Sequence, residues 1–224
     1  MNLTIQQIKD AQTAYVKNGG VDDDSLQAKY YSRPVSYYLT WLFVRIGVTP
    51  NQVTVLALVF AAVGCSWITS GWSIFGVVLL NIGHLLDYVD GTLAKATGKV
   101  SKFGMFLDKV CDEVVETIIP VFIGISLVNT DIIFPIIGVG CALLHLWGVV
   151  ISLQHDVVFG KSSKFGKSSR WVLIGANIKS TAVPGLLVLS FIPYGLIIYL
   201  IGFAILTIGE FAYKVIVAGE ILED

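Results

Sequence analysis

Charged side chains are scarce in this sequence, at 14% of 224 residues, against about 25% in an ordinary soluble domain. That shortage argues against a water-soluble domain. Basic and acidic residues nearly cancel, 15 against 16, for a formal net charge of −1. That balance says little about nucleic acid; the lysines are better explained by topology and an anionic leaflet, and no nucleic-acid partner is expected. Cysteine is rarer still, limited to Cys65, Cys111 and Cys141, all in or beside apolar runs. Without a CxxC pair or a His/Cys spacing, they argue against a disulfide framework and read as small buried hydrophobes. His84, His145 and His155 form no ligand cluster with them, so zinc is not expected. Residues 1 to 30 have no apolar core and carry Asp22, Asp23 and Asp24, so a cleavable signal sequence is not expected. No repeat and no second domain is evident.

Apolar sequence is what the chain has in quantity, 55% of its residues. Runs near 20 residues long mark six candidate membrane spans: Asn51 to Thr69, Trp72 to about Ala94, Phe103 to Val128, Ile132 to Leu153, Ile178 to Pro193, and Tyr194 to Val217. The fifth is short and broken by Pro184 and Gly185. Ahead of them, YYLTWLFVRIG at 37 to 47 is too short to cross and contains Arg45. It reads as a helix lying in the interface, with Trp41 and the tyrosines near the headgroups. The expected fold is therefore all-α and polytopic. It divides into a segment 1–48 with the interfacial helix, a six-helix membrane domain 49–219, and a tail 220–224.

The basic residues test that count independently. With six crossings, Lys9, Lys17, Lys29, Arg33 and Arg45 precede the first span. Lys95, Lys99, Lys102 and Lys109 lie at the second turn; Lys161, Lys164, Lys167, Arg170 and Lys179 at the fourth; and Lys214 near the end of the sixth. All fall on one side, which the positive-inside rule makes cytoplasmic, with both termini and residues 87 to 113.

DYVDGTLAKATGKVSKFGMFLDKVCDE, residues 87 to 113, puts five carboxylates at the cytoplasmic edge of two apolar helices. Counted at 1.5 Å per residue, Asp87 and Asp112 each lie roughly 24 Å from the outer ends of their spans, and Asp90 and Asp108 roughly 28 and 30 Å. Asp87 and Asp90 share a stripe at i,i+3, and Asp108 and Asp112 at i,i+4. Four facing carboxylates repel unless protons, lysines or divalent cations intervene. Lys109 points about 100° away from Asp108 on the same helix. Two Mg²⁺ ions match the demand better: oxygen ligands, shared carboxylates and open positions for phosphate oxygens. Gly91, Ala94 and Gly104 leave room for close approach to the backbone. Such a site suggests transfer of a phosphorus-containing group.

These residues resemble the CDP-alcohol phosphotransferase family, whose pattern is D-x2-D-G-x2-A-R-x8-G-x3-D-x3-D. Asp87, Asp90, Gly91, Ala94, Gly104, Asp108 and Asp112 occupy it at every spacing, and TPNQVT at 49 to 54 is similar to the family's entry to its first span. Lys95 stands where the family has arginine, keeping the charge but losing the planar fork. The resemblance implies that Asp87, Asp90 and Asp108 bind two Mg²⁺, with Mn²⁺ as a substitute, and that Asp112 contacts one ion and acts as general base. It implies a nucleotide site lined by Thr54, Asp87, Gly91, Ala94 and Lys95 with Asn51 nearby, and Gly104 is a packing position. Family members are often homodimers, while the sequence would tolerate a monomer. The expected partners are a bilayer, a CDP-linked donor such as CDP-diacylglycerol or an archaeal equivalent, and a polar alcohol or alcohol-phosphate acceptor, with CMP released. Two alternatives stay open: a CDP-choline or CDP-ethanolamine donor with a diacylglycerol acceptor, and a proton or cation transporter using the aspartates.

Other residues are less decided. KSSKFGKSSR at 161 to 170 lacks the Walker spacing and is explained by topology alone. Lys102, Lys164 and Lys179 are nevertheless candidates to receive an acceptor phosphate. Glu113 and Glu116 follow Asp112, and Glu116, one turn deeper, reads either as a hydrogen-bonding group of the site or as an interior polar residue. His84, one turn before Asp87, reads as a carboxylate partner or an interior histidine. Arg33 reads as a lipid-phosphate anchor or one more inside charge.

Overall fold

The computed structural model describes residues 3–18, 27–159 and 183–222; these form helices and turns, with no strand among the described residues. α1, Ile5–Lys17, was not among the expected elements, although its start was written in the sequence. Thr4 and Gln7 form a reciprocal capping box, the Gln7 N–H donating to Thr4 Oγ1 at 3.3 Å and the Thr4 N–H to Gln7 Oε1 at 2.9 Å. A π-helical stretch, Ala28–Ser32, leads into α2, Arg33–Ile46. α2 begins four residues ahead of the expected 37, because Pro34 sits in the first turn, where a missing N–H costs nothing. Its inner face is Ser36, Thr40 and Val44, and its exposed face includes Tyr38, Leu42 and Ile46. That apolar exposed stripe is what an interfacial helix presents to lipid.

The remaining labelled helices are α3 Pro50–Thr69, α4 Ser73–Thr97, α5 Lys102–Ser126, α6 Ile133–Phe159 and α7 Gly195–Leu222. Four described helices are long and apolar enough to cross a bilayer, over Pro50–Thr69, Ser73–Thr97, Ile133–Gln154 and Gly195–Ile216. Large apolar side chains stand exposed on them, among them Val59, Leu143 and Ile205. On a soluble surface such faces would drive association. In a helical integral membrane protein they meet lipid. α5 has the length at 25 residues, but Asp108, Lys109, Asp112, Glu113 and Glu116 interrupt its apolar windows. The expected fifth span falls partly outside the described residues, of which 183–189 are helical.

The chain divides into two compact units. One comprises Met1–Gly64 and Val78–Val115, the other Cys65–Val77 and Glu116–Asp224. In the first, Val44, Val53, Ala57, Leu86, Val89 and Leu93 form a buried apolar cluster from α2, α3 and α4, with Leu3 packed against it. Gly83 decides how near α3 and α4 come: a Cβ there would lie 2.8 Å from the Ala57 carbonyl oxygen and 3.3 Å from the Ala61 nitrogen. In the second unit, Gly124 plays the same part for α5 and α6, since a Cβ would lie 2.6 Å from the Phe134 carbonyl oxygen.

Candidate active site

The site lies within the first unit, at the end of α4 and the start of α5. After α4, Gly98 takes φ +67°, a conformation costly to other residues. The Lys99 N–H bonds back to the Ala94 carbonyl at 2.9 Å, closing the turn. Ser101 then accepts the Gly104 N–H at 3.0 Å and starts α5. This reversal turns a linear motif into facing carboxylates.

Asp87, Asp90 and Asp108 each bring one carboxylate oxygen into a group whose members all lie within 4.8 Å of one another. Asp108 and Asp112 are close negative neighbours of the Asp87 carboxyl. Carboxyl groups this close require a shared proton or a cation among them. Anionic oxygens are the donors that Mg²⁺ and Mn²⁺ prefer, so the three residues fit a divalent cation. Asp112 belongs to the same patch through Asp87 but is not one of the three.

Asp90 is the most enclosed, 4% exposed, and it is held from the neighbouring helix. Thr54 of α3, itself buried, donates its hydroxyl to Asp90 Oδ2. Thr54 is anchored in turn through the Pro50 carbonyl at 3.2 Å. The TPNQVT segment therefore supports the carboxylates directly, with the Thr49 N–H bonded to Gln52 Oε1 at 2.9 Å at the helix start.

The two site glycines differ. A Cβ on Gly91 would meet nothing within 4 Å, so this position borders open space. On Gly104 it would meet Ser101 Oγ at 3.0 Å and Asn51 Oδ1 at 3.2 Å, which places Asn51 at the α5 start and makes Gly104 a packing position. Ala94 is half-buried one turn past Asp90. Lys95 is half-buried too, with Asp90 and Asp108 as negative neighbours and Arg33 of α2 as a positive one.

Lys102 is exposed at the start of α5, and Lys164 and Lys179 lie outside the described residues. Lys109 turns outward to Glu113 at 2.8 Å, as its place on the helix required. His84 meets the Gln27 side chain at 3.0 Å, and Tyr88 Oη donates to Gln27 Oε1 at 3.2 Å. Ser36 and Thr92 hydroxyls meet at 3.3 Å, tying α2 to α4. Arg33 stands within the unit near Tyr37, Tyr88 and Lys95. Burial draws its guanidinium down from its ordinary value, while the two tyrosines oppose that. In the second unit, Glu116 approaches His145 Nδ1 at 3.6 Å, and Lys214 pairs with Glu210 at 2.9 Å.

Sequence reasoning missed Tyr15. Its ring lies under the Lys95 ammonium, 4.8 Å from nitrogen to centroid. Only the Thr4/Gln7 capping signal could have announced the helix that carries it, and nothing local links residue 15 to residue 95.

A model of the family described as CDP-alcohol phosphatidyltransferase matches residues 47–217. Among curated relatives, an archaetidylinositol phosphate synthase of Pyrococcus horikoshii is 38% identical over 90 residues, 40% of this chain and 48% of that protein. A phosphatidylinositol phosphate synthase of Corynebacterium glutamicum is 34% identical over 76 residues, 34% of this chain and 35% of that one. These alignments thus span half or less of the relatives' own length. The crystal structure of Mycobacterium tuberculosis phosphatidylinositol phosphate synthase with CDP-DAG bound shares the fold, with TM-score 0.63 at 18% identity, over 84% of this chain and 93% of that one. The same enzyme in complex with manganese and citrate gives a TM-score of 0.59 at 18% identity, over 84% and 88% of the two chains.

Proposed function

Because the chain belongs to the CDP-alcohol phosphatidyltransferase family, we propose that it transfers a phosphatidyl-type group from a CDP-linked lipid to a small polar alcohol or alcohol phosphate and releases CMP. The observation that carries this reading is the gathering of Asp87, Asp90 and Asp108 oxygens within 4.8 Å from two helices. The donor is CDP-diacylglycerol or an archaeal equivalent. Among acceptors, an inositol phosphate is the first to test, since the named relatives are inositol-phosphate lipid synthases. Family membership also favours group transfer over ion transport for the aspartates.

Asp87, Asp90 and Asp108 would hold two Mg²⁺, or Mn²⁺, with Asp112 in contact with one. Such cations supply positive charge against the donor diphosphate and the departing CMP. Thr54 fixes the Asp90 carboxylate. Asp112 takes the proton from the acceptor hydroxyl while its oxygen bonds to the lipid-linked phosphorus, and the bond from that phosphorus to CMP breaks. Gly91, Ala94 and Lys95 line the nucleotide side, where the open space beside Gly91 leaves room for the donor. Six spans, with both termini and this site in the cytoplasm, let donor tails stay in lipid while the nucleotide reaches water.

Incubation of purified protein with CDP-diacylglycerol, Mg²⁺ and a panel of alcohols and alcohol phosphates, followed by mass measurement of lipids, tests the proposal. CMP should appear together with one new phosphodiester lipid, and both should disappear with EDTA. Folded protein that releases no CMP with any acceptor, or releases it equally without divalent metal, would overturn the reading.

A further inference from the structure

The family arginine position holds Lys95, and the structure gives that lysine something no sequence pattern announced. α1 packs in the first unit with Ile8 fully buried and Gln12 nearly so, while Lys9 lies 5.7 Å from the Tyr37 ring of α2. At its other end α1 delivers Tyr15 to Lys95, ring centroid 4.8 Å from the ammonium. Both residues are half-buried, so the contact is neither a surface accident nor sealed in the core.

Lysine and arginine differ in what they need. Arginine's fork is rigid and holds its own geometry, whereas a lysine ammonium ends a flexible four-carbon stem. Lys95 also has Arg33 as a positive neighbour, with Asp90 and Asp108 pulling toward the carboxylate cluster. Before cations occupy the cluster, those charges draw the ammonium toward the aspartates, and once cations are bound they repel it. The negative face of an aromatic ring offers a cation a competing place to rest.

We propose that Tyr15 is a positioning residue for the donor: its ring holds the Lys95 ammonium ready for the nucleotide diphosphate, and α1 is thereby part of the donor site. This rests on the reading of the protein as a CDP-dependent transferase with Lys95 facing the nucleotide. Tyr15 acts through Lys95, so its effect belongs in donor affinity, with turnover at saturation kept.

The test measures CDP binding by calorimetry in the presence of Mg²⁺, and donor KM and kcat, for full-length single and double variants. Y15L should weaken CDP binding and raise donor KM by about three- to tenfold, the scale of a partly desolvated cation–π contact, with little change in kcat. Y15F keeps the ring and should restore wild-type affinity, which also separates loss of the contact from loss of folding. In a K95Q background, Y15L should add nothing. In a K95R background its penalty should shrink, because arginine brings its own rigidity. An equal penalty for Y15L with Gln or Lys at 95 overturns the proposal, as does Y15F behaving like Y15L, or tighter CDP binding in Y15L. If wild-type protein fails to bind CDP at all, the transferase reading fails instead. If K95Q weakens CDP binding while Y15L does not, the transferase reading stands and Tyr15 has no positioning role.

Discussion

At the residue scale, the four motif aspartates are not equivalent. Asp87, Asp90 and Asp108 each bring a carboxylate oxygen into one group, whereas Asp112 is outside that group and is a negative neighbour of Asp87. That difference suits a division between holding cations and moving a proton. Asp112→Asn keeps the shape and removes the proton acceptor, so turnover should fall by roughly 10²–10⁴-fold, while Mn²⁺ binding followed by electron paramagnetic resonance stays largely intact. Wild-type turnover in this variant would remove Asp112 from the mechanism. Thr54 gives the converse case. Its hydroxyl reaches Asp90 and lies away from any proton transfer, so Thr54→Val should weaken Mn²⁺ binding by roughly 10–100-fold, the usual cost of losing a group that orients a metal ligand. Raising the metal concentration should recover much of the activity. Mn²⁺ affinity unchanged in Thr54→Val would show that Asp90 holds its position without the hydroxyl.

At the element scale, two glycines on one helix separate packing from function. Gly83 and Gly91 both lie on α4, but a side chain at Gly83 meets the α3 backbone and one at Gly91 meets nothing within 4 Å. Gly83→Leu should lower thermal stability in detergent, by about 1–3 kcal/mol for an overpacked contact. Gly91→Ala should leave stability level or raise it by up to about 1 kcal/mol from helix propensity, yet weaken CDP binding by filling space kept for the donor. Equal thermal loss in both variants would contradict this assignment. The sequence made α4 and α5 readable because i,i+3 and i,i+4 spacing fixes which aspartates share a face. It also made α3 readable from Thr49 and Pro50. Local spacing could not show that Thr54 reaches Asp90 or that Tyr15 meets Lys95, because those contacts join residues 36 and 80 positions apart and depend on how helices dock. Hydropathy similarly marked α6 and α7 but left α1 unseen: a polar 13-residue helix has no long apolar run, and its few buried side chains, Ile8 and Gln12, reveal their partner only in the fold.

At the scale of the whole molecule, the proposed transfer requires the aspartate site to open toward the compartment that supplies CDP-linked donor and polar acceptor. If the chain crosses six times, all 15 basic residues fall on one side, and because each Lys or Arg near a span end biases that end toward the cytoplasm, this layout predicts a cytoplasmic site. Removing one crossing would flip everything after it and split the basic residues between both sides. The turn at Ser70, between α3 and α4, and the turn at Lys99, between α4 and α5, are both exposed, and α4 alone separates them. They should therefore lie on opposite faces of the bilayer. Cys65, Cys111 and Cys141 are buried and can be replaced by alanine to give a silent background. In intact cells, a membrane-impermeant maleimide should label Ser70→Cys and spare Lys99→Cys until the membrane is permeabilised. The reverse pattern would place the aspartates outside, away from cytoplasmic nucleotide. Labelling of both without permeabilisation would mean that α4 does not cross. Extending the scan to Asp131→Cys, in the exposed turn between α5 and α6, tests α5 itself, whose charges keep hydropathy from deciding. Labelling there from outside requires α5 to return across the bilayer, carrying Asp108 and Asp112 at its cytoplasmic end.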